Sequence, residues 1–183
     1  MIEIIIVVFI FLLVIIVNKG FSGIKDKEVR AIYLIFVGFL IQLIIFNEKF
    51  SHSSLSFLTP AFYIISLFVL LVFLIMNLYY KGMLIAAIGF SLNLVVILAN
   101  KGFMPQDLSK LRLIGQYQKV KLLTEYGQFY NATIMSPKTH LNFFADRITI
   151  PALKPLIAVY SVGDLIILTG ICIFIIEFFK KDT

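Results

Sequence analysis

Residues 61–80 read AFYIISLFVLLVFLIMNLYY, a run of twenty without a charged side chain. A hydrocarbon core about 30 Å thick takes about 20 helical residues, so this run predicts a transmembrane helix. Four further apolar runs accompany it, at residues 1–17, 31–46, 83–99 and 156–179. The runs at 1–17 and 31–46 are short and must borrow flanking residues or sit in thinned bilayer. The 183-residue chain is 61% hydrophobic, whereas soluble domains are closer to half apolar. The expected fold is therefore a single integral membrane domain over 1–183. It is an all-α bundle of five transmembrane helices, with an outer segment (100–155) between helices four and five.

The first run carries Glu3 where a signal peptide has a basic stretch, and Asn18-Lys19-Gly20 follows it instead of a small-residue cleavage site. It reads as a retained anchor. Lys19, Lys25, Lys27 and Arg30 between the first two runs place that loop in the cytoplasm. Lys81 and the pair Lys180-Lys181 then fall on the same side, which puts the N-terminus outside and the C-terminus inside. The segment 100–155 lies outside despite its eight basic residues, because long loops translocate with little regard to charge. The net charge of +6 suits contact with anionic lipid headgroups. No soluble basic face with aromatic platforms is present, so nucleic acid is not an expected partner. Cys172 is the sole cysteine, which excludes an intrachain disulfide.

Polar residues are patterned within the runs. Gly82, Ala86, Gly89, Asn93 and Asn100 form a stripe of small and polar residues along the fourth run, which permits close helix packing with a polar tie. The third run has a matching face of Thr59, Tyr63, Ser66, Asn77 and Tyr80, to which Gln42 of the second can bond. The tetrapeptide Asn-Lys-Gly-Phe ends the first and fourth runs, at Asn18–Phe21 and Asn100–Phe103. Asn and Gly commonly stop helices and Lys favours their negative ends, so helix termination explains it better than an inverted repeat. In the outer segment, Met104-Pro105-Gln106-Asp107 reads as a helix start, and Leu108, Leu111, Ile114 and Tyr117 recur at helical spacing among lysines. That predicts an amphipathic helix on the outer leaflet or a lid folded over the end of the bundle, then a loop over 126–139 and a second apolar stretch from His140 to Asp146.

Few residues are equipped for chemistry. His52 and His140 lie in different outer loops with no cysteine or carboxylate at ligand spacing, so no metal site is expected. There is no phosphate-cradling glycine loop and no nucleophile elbow, and no cofactor is expected. Asp146 and Asp164 stand out, each beside an apolar run on the outer side. Carboxylates near hydrocarbon are costly to place there. Two held close cannot both ionise readily, and such a pair can activate water with one member and protonate a leaving amine with the other. The alternative for Asp164 is a capping box, Ser161-x-x-Asp164, at the start of the last helix. For Asp146 it is a surface ion pair with Arg147 or Lys154, worth about 0–1 kcal/mol.

The sequence Phe143-Phe-Ala-Asp146-Arg147, followed by Ser161-Val-Gly-Asp164 opening the last helix, resembles signal peptidase II, an aspartic peptidase of bacterial membranes. The resemblance covers about the last forty residues and implies Asp146 and Asp164 as a catalytic pair, with Arg147 or Asn100 as substrate contacts. The chain departs from that family in lacking a Gly-Asn-x-x-Asp-Arg motif and in carrying Ser161 where the family has asparagine. Over most of its length, through Ala99-Asn-Lys-Gly-Phe-Met-Pro105 and Ser161-Val-Gly-Asp164, the chain resembles an uncharacterised bacterial family of small polytopic membrane proteins. That resemblance implies a membrane protein and no particular activity. The leading expectation is an integral membrane protein with a polar pocket at its outer end, binding a lipid, a membrane-anchored peptide or a partner helix. Its contacts would be Asn93, Asn100, His140 and Arg147 beside the two aspartates. An intramembrane aspartic peptidase is the second expectation and a small proton-coupled carrier the third.

Overall fold

The computed structural model describes residues 29–51, 53–150 and 158–179. The first apolar run, His52, Lys154 and the Lys180-Lys181 pair lie outside the described residues. The described chain is mostly helical. Helix α1 spans Tyr33–Ile45, a short helix α2 spans Glu48–Ser51, and a 3-10 turn at Ser56–Leu58 leads into α3, Thr59–Met76. Helix α4 follows at Lys81–Ala99, and the last helix, Val162–Phe179, is α7. Two of these stretches, Ser56–Met76 and Lys81–Ala99, are long and apolar enough to cross a membrane. Helix α1 is apolar and shorter.

The side chains of these helices are sorted opposite to those of a water-soluble bundle. Val37, Leu40, Leu43, Ile65, Phe68, Val72, Ile88 and Val95 are exposed on outward faces, while Gln42, Ser66, Asn77 and Asn93 are buried. Each inward polar group finds a partner. Gln42 Nε2 donates to Ser66 Oγ at 3.0 Å, tying α1 to α3 across the expected face. Asn77 donates through Nδ2 to the Phe73 and Arg30 carbonyls and accepts the Arg30 N–H at 2.8 Å, which anchors the start of α1 to the α3–α4 turn. Burying an amide without such bonds costs several kcal/mol in hydrocarbon, so the pairing is obligatory.

Packing runs in sequence order, α1 on α3, α3 on α4 and α4 on α7. The α4–α7 contact is the closest. A Cβ on Gly89 would lie 2.5 Å from the Gly163 carbonyl oxygen, and one on Gly170 would lie 2.5 Å from the Ala86 backbone nitrogen. Backbones can approach this closely only where both helices present small residues, and the stripe Gly82, Ala86, Gly89, Asn93 is the α4 side of that seam.

The segment between α4 and α7 departs from expectation. Helix α4 ends at Asn100, where Lys101 takes φ +57° and the Gly102 N–H bonds back to the Ile97 carbonyl at 2.8 Å. Strand β1 (Met104–Gln106) follows, so Met104-Pro105-Gln106 is extended and not a helix start. The single amphipathic helix is two, α5 (Leu108–Leu113) capped by Asp107 and α6 (Tyr117–Tyr126), broken where Gly115 takes φ +79°. The stretch expected as loop contains strands β2 (Gln128–Phe129) and β3 (Ala132–Ile134). β3 pairs with β2 in antiparallel and with β1 in parallel. Leu111, Val120, Leu123, Ala132 and Val159 form the core of this lobe. The fold is thus a helical bundle carrying a small α/β cap, where the sequence predicted no strands.

Candidate functional site

Asp146 and Asp164 come from opposite sides of one antiparallel pairing. Strand β4 (Ile148–Thr149) pairs with β5 (Val159–Tyr160), Ile148 opposite Tyr160, and Arg147 N–H bonds to the Tyr160 carbonyl at 3.1 Å. Asp146 lies two residues before this ladder and Asp164 four residues after it, so closing the ladder cancels the eighteen-residue separation. A second constraint acts on Asp146. Its backbone forms a parallel bridge to Gln106, with Asp146 N–H on the Pro105 carbonyl at 3.1 Å and Asp107 N–H on the Asp146 carbonyl at 3.0 Å. The cap therefore holds Asp146 by backbone on two sides.

Both carboxyls are buried, each 6% exposed. Their hydrogen-bond surroundings differ. Asp164 Oδ1 accepts from Asn93 Nδ2 at 2.8 Å and Oδ2 accepts from the Ser161 N–H at 3.0 Å. Ser161 Oγ accepts the Asp164 N–H at 2.8 Å and donates to Asn93 Oδ1 at 2.8 Å. The capping box is thus present, and it is closed into a ring by a side chain from α4. Both Asp164 oxygens face donors, an arrangement that suits a carboxylate. Asp146 Oδ2 accepts from Gln106 Nε2 at 2.6 Å. This contact is buried, the neighbouring Arg147 is exposed, and the other ion-pair partner considered for Asp146, Lys154, lies outside the described residues.

Burial, and next the negative charge of Asp164, push the Asp146 carboxyl up to about 7, against a smaller opposing pull from the Gln106 hydrogen bond. Desolvation disfavours the charged form, and a like charge nearby disfavours it further. The stability consequence has a definite sign. A carboxyl whose folded pKa lies above its ordinary 3.8 binds its proton more tightly when folded. Its contribution is complete below pH 4 and is lost as pH rises through about 7, a change on the order of 4 kcal/mol. Asp146→Asn removes this dependence. Thermal melting in detergent should find the variant equal to wild type at pH 4 and more stable than wild type at pH 8.

Of the four expected contact residues, only Asn93 belongs to the hydrogen-bonded site. Asn100 is turned to the loop, where Nδ2 donates to the His140 carbonyl at 2.9 Å and Oδ1 accepts the His140 N–H at 2.8 Å. His140 is exposed, and the bonds that hold it are to its backbone. Three residues not singled out for the site join it. Gln106 bonds Asp146, and Ser161 completes the ring around Asp164. Tyr63, fully buried on α3, places its hydroxyl within electrostatic reach of both carboxylates while accepting from Asn131 Nδ2 at 3.0 Å. Tyr63 and Ser161 were visible as polar positions on helix faces and ends. Gln106 carried no signal.

Below Asp164 lies a cavity of about 160 Å³, bounded by α1, α3, α4 and α7. Phe39, Leu70, Phe90, Ile97, Ile171 and Phe174 line it, and its polar residues, Gln42, Asn93 and Asp164, are few. An apolar lining with few polar groups suits hydrocarbon.

The fold and site define a helical protein with apolar outer faces and two buried aspartates at its small α/β cap. The chain belongs to the family of unknown function DUF5317, whose model matches residues 26–176. No curated protein and no solved structure matches the chain.

Proposed function

We propose that the protein is a multi-pass integral membrane hydrolase of the aspartic type, cleaving an amide bond in a membrane-anchored peptide at the extracytoplasmic face. The observation that carries this reading is the convergence of two buried carboxyls from separate segments, one furnished with donors to both oxygens and the other pushed up to about 7 by burial and by its neighbour's charge. Two carboxyls in unlike surroundings can divide the acid and base roles. Asp164 is the base and Asp146 the acid. Asp164 takes a proton from water as the water oxygen bonds to the carbonyl carbon, and Asp146 gives its proton to the carbonyl oxygen. The resulting diol collapses as Asp164 returns its proton to the leaving nitrogen. The C–N bond breaks, and Asp146 recovers a proton from the diol hydroxyl. The apolar cavity below Asp164 supports approach of the peptide's membrane-embedded part from the bundle side.

Transition-state analogues bind such sites far more tightly than substrates do. The test uses the protein in vesicles and a pool of peptides with an apolar N-terminal run and a statine unit, a tetrahedral hydroxyl-bearing carbon replacing the scissile amide. Wild type should retain pool members that Asp146→Asn and Asp164→Asn do not, and should cleave their amide counterparts. Retention with no cleavage by any of the three proteins supports the second reading, a binding site without turnover, which the closed ring around Asp164 favours. Failure of wild type to retain any pool member contradicts the hydrolase.

A further inference from the structure

Gln106 is 7% exposed, and its Oε1 is a buried acceptor with no hydrogen-bond partner among the described residues. Buried polar groups are paired almost without exception, so a lone acceptor beside a reactive group calls for a cause. The backbone around Gln106 cannot shift to satisfy it. The Gln106 carbonyl accepts the Met135 N–H at 3.0 Å, Pro105 is held by the Asp146 N–H, and Asp107 N–H is held by the Asp146 carbonyl. The side-chain amide is also pinned at one end, with Nε2 on Asp146 Oδ2 at 2.6 Å. Oε1 is thereby fixed beside the carboxyl that acts as the acid.

We infer that Gln106 is a substrate-binding residue whose Oε1 accepts a backbone N–H of the bound peptide next to the cleaved bond. This rests on the hydrolase reading and names the group in the substrate that the site recognises. One amide side chain then has two tasks, since Nε2 orients the Asp146 carboxyl and Oε1 sets the register of the peptide against it. A peptide group is the matching ligand because it carries an N–H donor one residue from any scissile carbonyl. A site that hydrogen-bonds a substrate N–H discriminates against analogues lacking it, because its own acceptor is then left unpaired.

The experiment takes a statine peptide retained by wild type and replaces each amide flanking the statine by an ester in turn, which removes one N–H and leaves the shape. One ester should weaken binding to wild type about tenfold or more, while the others have little effect. Gln106→Met keeps the length of the side chain without its hydrogen bonds. That variant should bind the sensitive ester and its parent amide equally. The inference is overturned if no ester weakens binding to wild type, or if the full ester penalty persists in Gln106→Met. The wild-type series stands by itself should the methionine variant fail to fold. If no statine peptide binds wild type, the hydrolase reading and this inference fall together. If peptides bind and depend on both aspartates but show no ester effect, only the role of Gln106 falls.

Discussion

Asp164→Asn is expected to lose statine-peptide binding and to cost about 2 kcal/mol of stability, more than an isolated helix cap is worth. The ring around Asp164 fixes the reason. Its two oxygens accept from Asn93 Nδ2 and from the Ser161 N–H. An asparagine offers one oxygen and one NH2 group, so one of those donors must face another donor. Turning the Asn93 amide to relieve the clash would break its bond from Ser161 Oγ. Asp146→Asn meets no such obstacle and is expected to fold as well as wild type or better above neutral pH. Thermal melts of the two variants at pH 8 would show the asymmetry, and equal losses would argue against a division of roles between the carboxyls.

Gly89→Leu should separate α4 from α7 and cost about 3 kcal/mol or more, the upper end of overpacking. Even the first carbon of a side chain there would sit 2.5 Å from the Gly163 carbonyl oxygen and 2.8 Å from the Ile167 backbone nitrogen. These are backbone atoms with nowhere to turn, and relief requires moving a helix. Because Asn93 on α4 holds Asp164 on α7, peptide binding should be lost along with stability. Ile88→Leu, on the exposed face of the same helix, should melt with wild type. A Gly89→Leu protein with unchanged melting temperature would mean that the seam does not hold the two helices at this spacing.

Much of this was legible in the chain because it follows from local rules. The Gly82–Asn93 stripe specified the α4–α7 seam, Gln42 found Ser66 as its partner, and Ser161-x-x-Asp164 formed its capping box. Asp146 and Asp164 carried their own warning as carboxylates beside apolar runs. The β-structure of the cap was not legible. Its strands are two or three residues long, too short for alternation to register, and β1 contains a proline that reads as the start of a helix. The parallel bridge from Gln106 to Asp146 spans forty residues and leaves no local mark, so the residue that contacts the proposed acid was invisible. The capping box and the proposed base role are compatible at Asp164, since the bonds that cap α7 also supply a donor to its carboxyl.

The most direct test of the account is an infrared titration of the carboxyl groups, comparing wild type with Asp146→Asn and Asp164→Asn in detergent. The account predicts one protonated carboxyl band in wild type that titrates near 7. The band should be missing in Asp146→Asn and displaced toward lower pH in Asp164→Asn, where the neighbouring charge is gone. A wild-type protein with no carboxyl titrating above about pH 5, or a band unmoved by Asp164→Asn, would mean that the two aspartates do not form a pair.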